Sequence, residues 1–205
     1  MIINVRGGSG AGKSTVIRAI MDRYSDRVPH LVVGRKQPLW YDLHERGMPP
    51  LRVLGHYETP CGGCDTISSN LADPSEKAMD YIHRLIRQAD AGGIDVLYEG
   101  VILTTILGQL PQLHAEGRKI VVINLTSDLE TCLTGISERR FRRSELNLLT
   151  VEQIRASLEE VTIKNNVGKL KSAIKTAKQL ESLGIKVYHC DRITAVETIK
   201  GILCL

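Results

Sequence analysis

Ile2-Ile3-Asn4-Val5-Arg6-Gly7-Gly8-Ser9-Gly10-Ala11-Gly12-Lys13-Ser14-Thr15 decides the fold. Its first five residues read as a short strand. From Lys13 to Tyr24 the apolar residues Val16, Ile17, Ile20 and Met21 recur at the spacing of one helix face. Between these elements, Gly7 to Ser14 satisfies G-x-x-x-x-G-K-[ST] in the strand-to-helix context that a phosphate-binding loop requires. Glycines let successive N–H groups curve around phosphate oxygens, and the helix N-terminus adds partial positive charge. Gly8, Ser9, Gly10, Ala11, Gly12, Lys13, Ser14 and Thr15 are therefore the candidate nucleotide-binding residues. Lys13 should reach the β- and γ-phosphates, Ser14 should ligate Mg²⁺, and Thr15 can touch the α-phosphate.

Outward from this loop, strand-like and helix-like segments alternate to the end of the chain, the pattern of a parallel sheet flanked by helices. Leu31 to Val33 is a candidate second strand, Ile94 to Tyr98 a buried third, Ile120 to Leu125 a fourth and Ile185 to His189 the last. Helices are expected from Asp73-Pro74-Ser75-Glu76 to Ala91, around Ile106 to Glu116, after Ser127 with Glu130 at its third position, and from Ala195 to Leu203. Thr150 with Gln153 is a capping signal before a long helical stretch, which should be two helices or bend near Gly168. Residues 34–70 are irregular, rich in Gly and Pro, and too long for a plain connector, which suggests a substrate insert.

The whole is expected to be one domain spanning residues 1–205. Composition fits this: 205 residues, 42% hydrophobic and 24% charged, describe a soluble globular chain with a sizeable core. No apolar run is long enough to cross a bilayer and no signal-peptide pattern opens the chain, so a cytoplasmic protein is expected. The formal charge of +4 fits a polyanionic partner without requiring one. Five cysteines, an odd number, read as reduced thiols.

Asp95-Val96-Leu97-Tyr98-Glu99-Gly100 is an apolar strand ending in a carboxylate. Such a residue beside the first strand can hold a Mg²⁺-bound water or orient an attacking group, which makes Glu99 a candidate metal-site and catalytic residue. A solvated strand end is the plainer reading. Glu138-Arg139-Arg140-Phe141-Arg142-Arg143 packs four arginines into five positions after a helix. They can form a solvated face, or residues 139–149 can be a lid whose guanidinium forks, Arg139 and Arg143 among them, offset charge on the transferring phosphoryl group.

In this order the elements resemble the nucleotide and nucleoside kinase branch of the P-loop superfamily. The resemblance implies a five-stranded parallel sheet of order 2-3-1-4-5, a substrate region before the third strand, ATP with Mg²⁺, and in-line phosphoryl transfer. Within the branch, Gly55-His56-Tyr57-Glu58-Thr59-Pro60-Cys61-Gly62-Gly63-Cys64-Asp65-Thr66 looks like bacteriophage kinases that phosphorylate 5-hydroxymethyluracil in DNA. The acceptor is then DNA containing a modified pyrimidine, with a free deoxynucleotide as the alternative. A P-loop ATPase without an acceptor is the rival from another class.

In either kinase reading a hydroxyl acceptor needs a carboxylate to orient it and accept its proton, and Asp65 can do so; an Asx-type turn residue is the alternative. Cys61 and Cys64 have zinc-knuckle spacing and His56 could join them, but no second pair completes the set, so a tight turn with buried thiols is simpler. Trp40, Tyr41 and Tyr57 could stack on an extruded base or anchor packing. Arg35, Lys36 and Arg52 could contact phosphates.

Overall fold

The computed structural model describes residues 1–32, 36–59, 62–67, 77–100, 103, 105–143, 150–156, 158 and 160–205. Strand β1 (Ile2–Arg6) is buried along its whole length and lies in the interior of the sheet. It pairs in parallel with β5 (Asp95–Glu99) on one side and β6 (Ile120–Leu125) on the other. Beyond β6 lies β7 (Lys186–Cys190), and beyond β5 lies β4 (Leu51–Leu54), both parallel to their neighbours. These central strands are continuous apolar runs because helices cover both faces.

The expected five-stranded parallel sheet requires correction. The sheet is mixed, with seven strands in the order β2-β3-β4-β5-β1-β6-β7. Strands β2 (Asp26–His30) and β3 (Trp40–His44) add to it by antiparallel pairing, β2 with β3 and β3 with β4. The second strand expected at Leu31 to Val33 is not formed by Leu31 or Val32, and Val33 falls outside the described residues. Within the segment expected to be irregular, Tyr41 and Leu43 point into the core with the period of two of a half-covered strand.

Helix α1 (Lys13–Met21) buries Val16, Ile17, Ile20 and Met21 against one face of the sheet, together with α7 (Arg192–Leu203). On the other face, α2 (Ala78–Ala91) and α3 (Leu110–Ala115) cover Ile2, Val96, Tyr98 and Val122. The start signal at Asp73 to Glu76 lies outside the described residues. Helix α4 (Leu129–Arg143) is capped by Asp128, whose carboxylate accepts from the Thr131 amide at 2.7 Å, rather than by Ser127. Before α5 (Val151–Ala156), Thr150 and Gln153 exchange both bonds of a capping box, at 2.7 and 3.2 Å.

The stretch after Thr150 is two helices, as expected, but α5 ends at Ala156 and α6 (Glu160–Ser182) runs unbroken through Gly168. Leu170 is packed on the phosphate loop, and Ala173, Ala177 and Leu180 are buried, so tertiary packing holds the helix across the glycine. A methyl at Gly168 would meet nothing within 4 Å. Gly168→Ala is therefore expected to stabilise the fold by about 0.5–1 kcal/mol, the propensity difference alone. Urea unfolding should show it as a higher midpoint at unchanged slope.

Candidate active site

The crevice lies where the chain reverses direction across the sheet, at the carboxyl ends of β1 and β5. Register places Val5 opposite Glu99, so the loop leaving β1 and the end of β5 are neighbours. Gly10 and Gly12 adopt φ of 83° and 92°, left-handed values that a side chain disfavours. A Cβ on Gly10 would fall 1.9 Å from the carbonyl oxygen of Cys132 in α4, and one on Gly135 of α4 would fall 2.4 Å from the Gly10 oxygen. The phosphate loop and α4 thus touch backbone to backbone.

Lys13 is buried and folds back over this loop, its ammonium donating to the carbonyls of Gly7 at 3.0 Å and Gly8 at 2.9 Å. Burial draws its pKa below the ordinary lysine range, and the nearby Glu99 and Asp65 carboxylates oppose the shift. Ser14 donates its hydroxyl to Glu99 Oε1 at 2.7 Å. Ser9 and Ala11 are buried and Thr15 is exposed.

Glu99 is 2% exposed, and burial pushes its carboxyl above the usual range while Lys13 and the Ser14 hydroxyl pull it down. The plainer reading of Glu99 as a solvated strand end is thereby removed. Gly63, with φ of 83°, lays its backbone directly on the carboxylate, since a Cβ there would come within 2.4 Å of Oε1. The next residues, Cys64–Thr66, form a 3₁₀ turn that carries Asp65 to the same strand end. Asp65 Oδ1 lies 3.2 Å from where a Cβ on Gly100 would stand, and its charge acts on both Lys13 and Glu99. The two candidate carboxylates, far apart in sequence, therefore share one site with Lys13 and Ser14.

The arginines do not follow a helix, as expected; they form its last turns. Arginine is a good helix former, so α4 continues through Arg143. The charge of Arg139 is felt at Lys13 and Glu99. Arg139 and Arg140 also line a cavity of about 380 Å³ with Ser9, Asn166 and Lys169. The Arg143 side chain and residues 144–149 lie outside the described residues.

Three site neighbours carry no motif and escape a reading of the sequence. Arg18, on the helix that the loop opens, donates to the carbonyls of Tyr57 at 3.0 Å and Thr59 at 2.6 Å, holding the insert over the crevice. Lys169 of α6 approaches the Ser9 hydroxyl at 3.4 Å, and Asn166 is buried beside it. Only the polar character of position 18 on an amphipathic helix hinted at any of them.

Other candidates have structural duties. Tyr41 and Tyr57 are core residues, the Tyr41 hydroxyl bonding the Glu58 carboxylate, while Trp40 stacks on His30 with centroids 4.7 Å apart. Arg52 is committed to a two-pronged pair with Asp42 at 2.7 and 3.0 Å. Cys64 is buried, with its thiol pKa pushed well up by desolvation, as expected for a packed and unreactive sulfur. Arg35 and Cys61 lie outside the described residues, and among those described no cluster of metal-binding side chains forms. No described helix is long and apolar enough to cross a membrane.

A phosphate loop facing two carboxylates suits transfer of a phosphoryl group, and comparison with known proteins specifies the kind. A family model described as 5-hmdU DNA kinase matches residues 1–164. The chain belongs to the 5-hmdU DNA kinase family. The 5-hmdU DNA kinase of Pseudomonas phage PaMx11 is 39% identical over 202 residues, spanning 98% of this chain and 96% of the relative. That of Pseudomonas phage M6 is 28% identical over 137 residues, spanning 67% and 71%. Among solved structures, a deoxyadenosine kinase from M. mycoides with bound dATP aligns over 100% of both chains at 16% identity and a TM-score of 0.44. Membership in the 5-hmdU DNA kinase family makes the chain an ATP-dependent phosphotransferase, which sets aside the acceptor-free ATPase.

Proposed function

We propose that the protein transfers the γ-phosphoryl group of ATP to the 5-hydroxymethyl oxygen of hydroxymethyluracil in DNA. The observation that carries this reading is the meeting of Asp65 and Glu99 at one strand end beside Lys13 and Ser14. Two carboxylates allow two duties. Ser14 and Glu99 are hard oxygen donors in contact, a pair suited to Mg²⁺, which keeps most of its shell as water and phosphate oxygen. Magnesium, when bound there, neutralises charge on the nucleotide phosphates.

Asp65 is then the residue that orients the acceptor. Its carboxylate holds the hydroxymethyl O–H, and a bond forms from that oxygen to the γ-phosphorus. The bond from the γ-phosphorus to the bridging oxygen breaks, ADP leaves, and Asp65 takes the proton late in the transfer. Lys13 exchanges the Gly7 and Gly8 carbonyls for β- and γ-phosphate oxygens, so its charge is already desolvated where negative charge shifts. Arg139, with Arg143 and the rest of a lid spanning residues 139–149, offsets the equatorial charge. Residues 34–70 serve the acceptor side within a single kinase domain.

A base inside a duplex hides its hydroxymethyl group, so it must be extruded, at a cost of about a few kcal/mol. Incubation with radiolabelled ATP is expected to label hydroxymethyluracil DNA, and mismatched or single-stranded sites faster than paired ones. Unmodified DNA and free deoxynucleotides should stay unlabelled. Label confined to free deoxynucleotides would overturn the DNA acceptor.

A further inference from the structure

Residues 164–178 of α6 contain five lysines, Lys164, Lys169, Lys171, Lys175 and Lys178, and no carboxylate. The chain's formal charge is +4, so without these five the remainder is −1. The basic excess of the whole protein therefore resides in one helix. At 100° per residue, Lys164, Lys171, Lys175 and Lys178 fall within about 60° of arc, a strip about 21 Å long at 1.5 Å per residue. All four are exposed, and among the described residues none is ion-paired. The nearest acidic residues of the helix flank the strip: Glu160 precedes it and Glu181 is engaged by His189 at 3.0 Å.

The helix that carries the strip borders the phosphate loop, which it touches with residues on another of its faces. Leu170 packs on Gly8 and Lys169 approaches Ser9, so the N-terminal half of α6 borders the site. An open trench of about 580 Å³ runs between Thr105, just beyond the Glu99 strand end, and Lys164, Lys169 and Lys171. It shares Asn165 and Lys169 with the cavity beside Ser9 and Arg139, so the two depressions adjoin. From there α6 descends beside β7, carrying Lys175 and Lys178 away from the crevice.

We propose that the α6 lysine strip binds the sugar–phosphate backbone of the DNA substrate and leads it to the crevice. A self-repelling row of ammonium groups gains nothing from the fold, whereas a strand of phosphates matches it in sign and length. Successive lysines about 6 and about 4.5 Å apart along the axis, by helix rise, suit flexible point-charge pairing with consecutive phosphates. The inference rests on the DNA acceptor proposed above.

The test is the triple substitution Lys171→Glu, Lys175→Glu, Lys178→Glu, with Lys171→Gln, Lys175→Gln, Lys178→Gln in case the reversed charges disturb folding. Binding of a labelled hydroxymethyluracil duplex is followed by fluorescence anisotropy at several salt concentrations, with phosphorylation assayed in parallel. The Glu variant should lose at least about tenfold in DNA affinity at low salt. Its log–log salt slope should become shallower by about 0.9 for each phosphate no longer neutralised, near three in all. The shift in melting temperature caused by ATP should match that of the unsubstituted protein. Unchanged DNA affinity and slope in both variants, with DNA still phosphorylated, would overturn the strip and leave the acceptor reading intact. Failure of the unsubstituted protein to bind or phosphorylate DNA would remove both.

Discussion

Lys13→Ala is expected to lower phosphoryl transfer by about 10²–10³-fold, the usual consequence of removing one preorganised donor from a site of developing negative charge. The buried ammonium already lies on the loop carbonyls of Gly7 and Gly8, so its desolvation is met by folding and not at each turnover. Alanine leaves those carbonyls to water and removes the positive charge beside Glu99 and Asp65. Lys13→Met keeps the aliphatic volume and should be equally impaired, which separates loss of charge from loss of packing. The variants should remain folded, because the surrounding core of Val16, Ile17 and Ile20 is untouched. Single-turnover assays decide the matter: transfer at more than about a tenth of the normal rate in either variant would contradict the assigned role of Lys13.

Asp65→Asn and Glu99→Gln should both reduce turnover by about 10²-fold or more, but with different signatures. Asp65→Asn is expected to leave ATP affinity and the Mg²⁺ requirement near normal, because Ser14, Glu99 and the phosphate loop stay in place. Glu99→Gln is expected to raise the Mg²⁺ concentration needed for half-maximal rate, with Ser14 left as the remaining protein donor. Glu99→Gln should also show itself in the pH profile. Burial holds the Glu99 carboxyl above its unfolded value, so protonation sets in at a higher pH than for an ordinary carboxylate near 4.3. As pH falls through this raised value, metal binding and the rate should decline together, and Glu99→Gln should erase that acidic limb.

The sign for stability is the reverse of the usual carboxylate. With the folded pKa above the unfolded one, the contribution of Glu99 is fully present below the unfolded value and lost as pH rises through the folded value. Without metal at neutral pH, Glu99→Gln should therefore melt higher than the unsubstituted protein. A lower melting temperature across that range would show that the Lys13 pairing outweighs desolvation.

The parts legible in the sequence were those with strong local signals. β1, β5 and β6 are short, mainly apolar runs bounded by turns, the phosphate loop is a fixed motif, and Thr150 with Gln153 is a self-contained cap. β2 was not legible because its sequence, Asp-Arg-Val-Pro-His, is almost wholly exposed. It is an edge strand held by pairing with β3, where a proline is tolerated. The Gly and Pro density around β3 and β4 obscured strands that exist because β5 offers an edge. Gly168 signals a break locally, yet Leu170 and Ala173 hold the helix through it. Asp65 and Glu99 were each visible as candidates, but their meeting depends on the turn at Gly63 crossing the end of β5.

Arg18 carries a consequence for exchange of parts between kinases. One guanidinium on the helix that begins at the donor loop fixes two carbonyls of the acceptor segment, Tyr57 and Thr59. Those bonds are to main chain, so they constrain the path of the segment whatever side chains Tyr57 and Thr59 carry. New acceptor specificities can thus arise by substitution at the less buried Glu58 and Thr59 while the path, Tyr57, Gly63 and Asp65 are kept. A transplanted segment of different length would lose its register with position 18 and so lose its aim at the phosphate being transferred. Substrate range in this scaffold should change one side chain at a time, with whole-loop grafts succeeding only when the residue at position 18 travels with them.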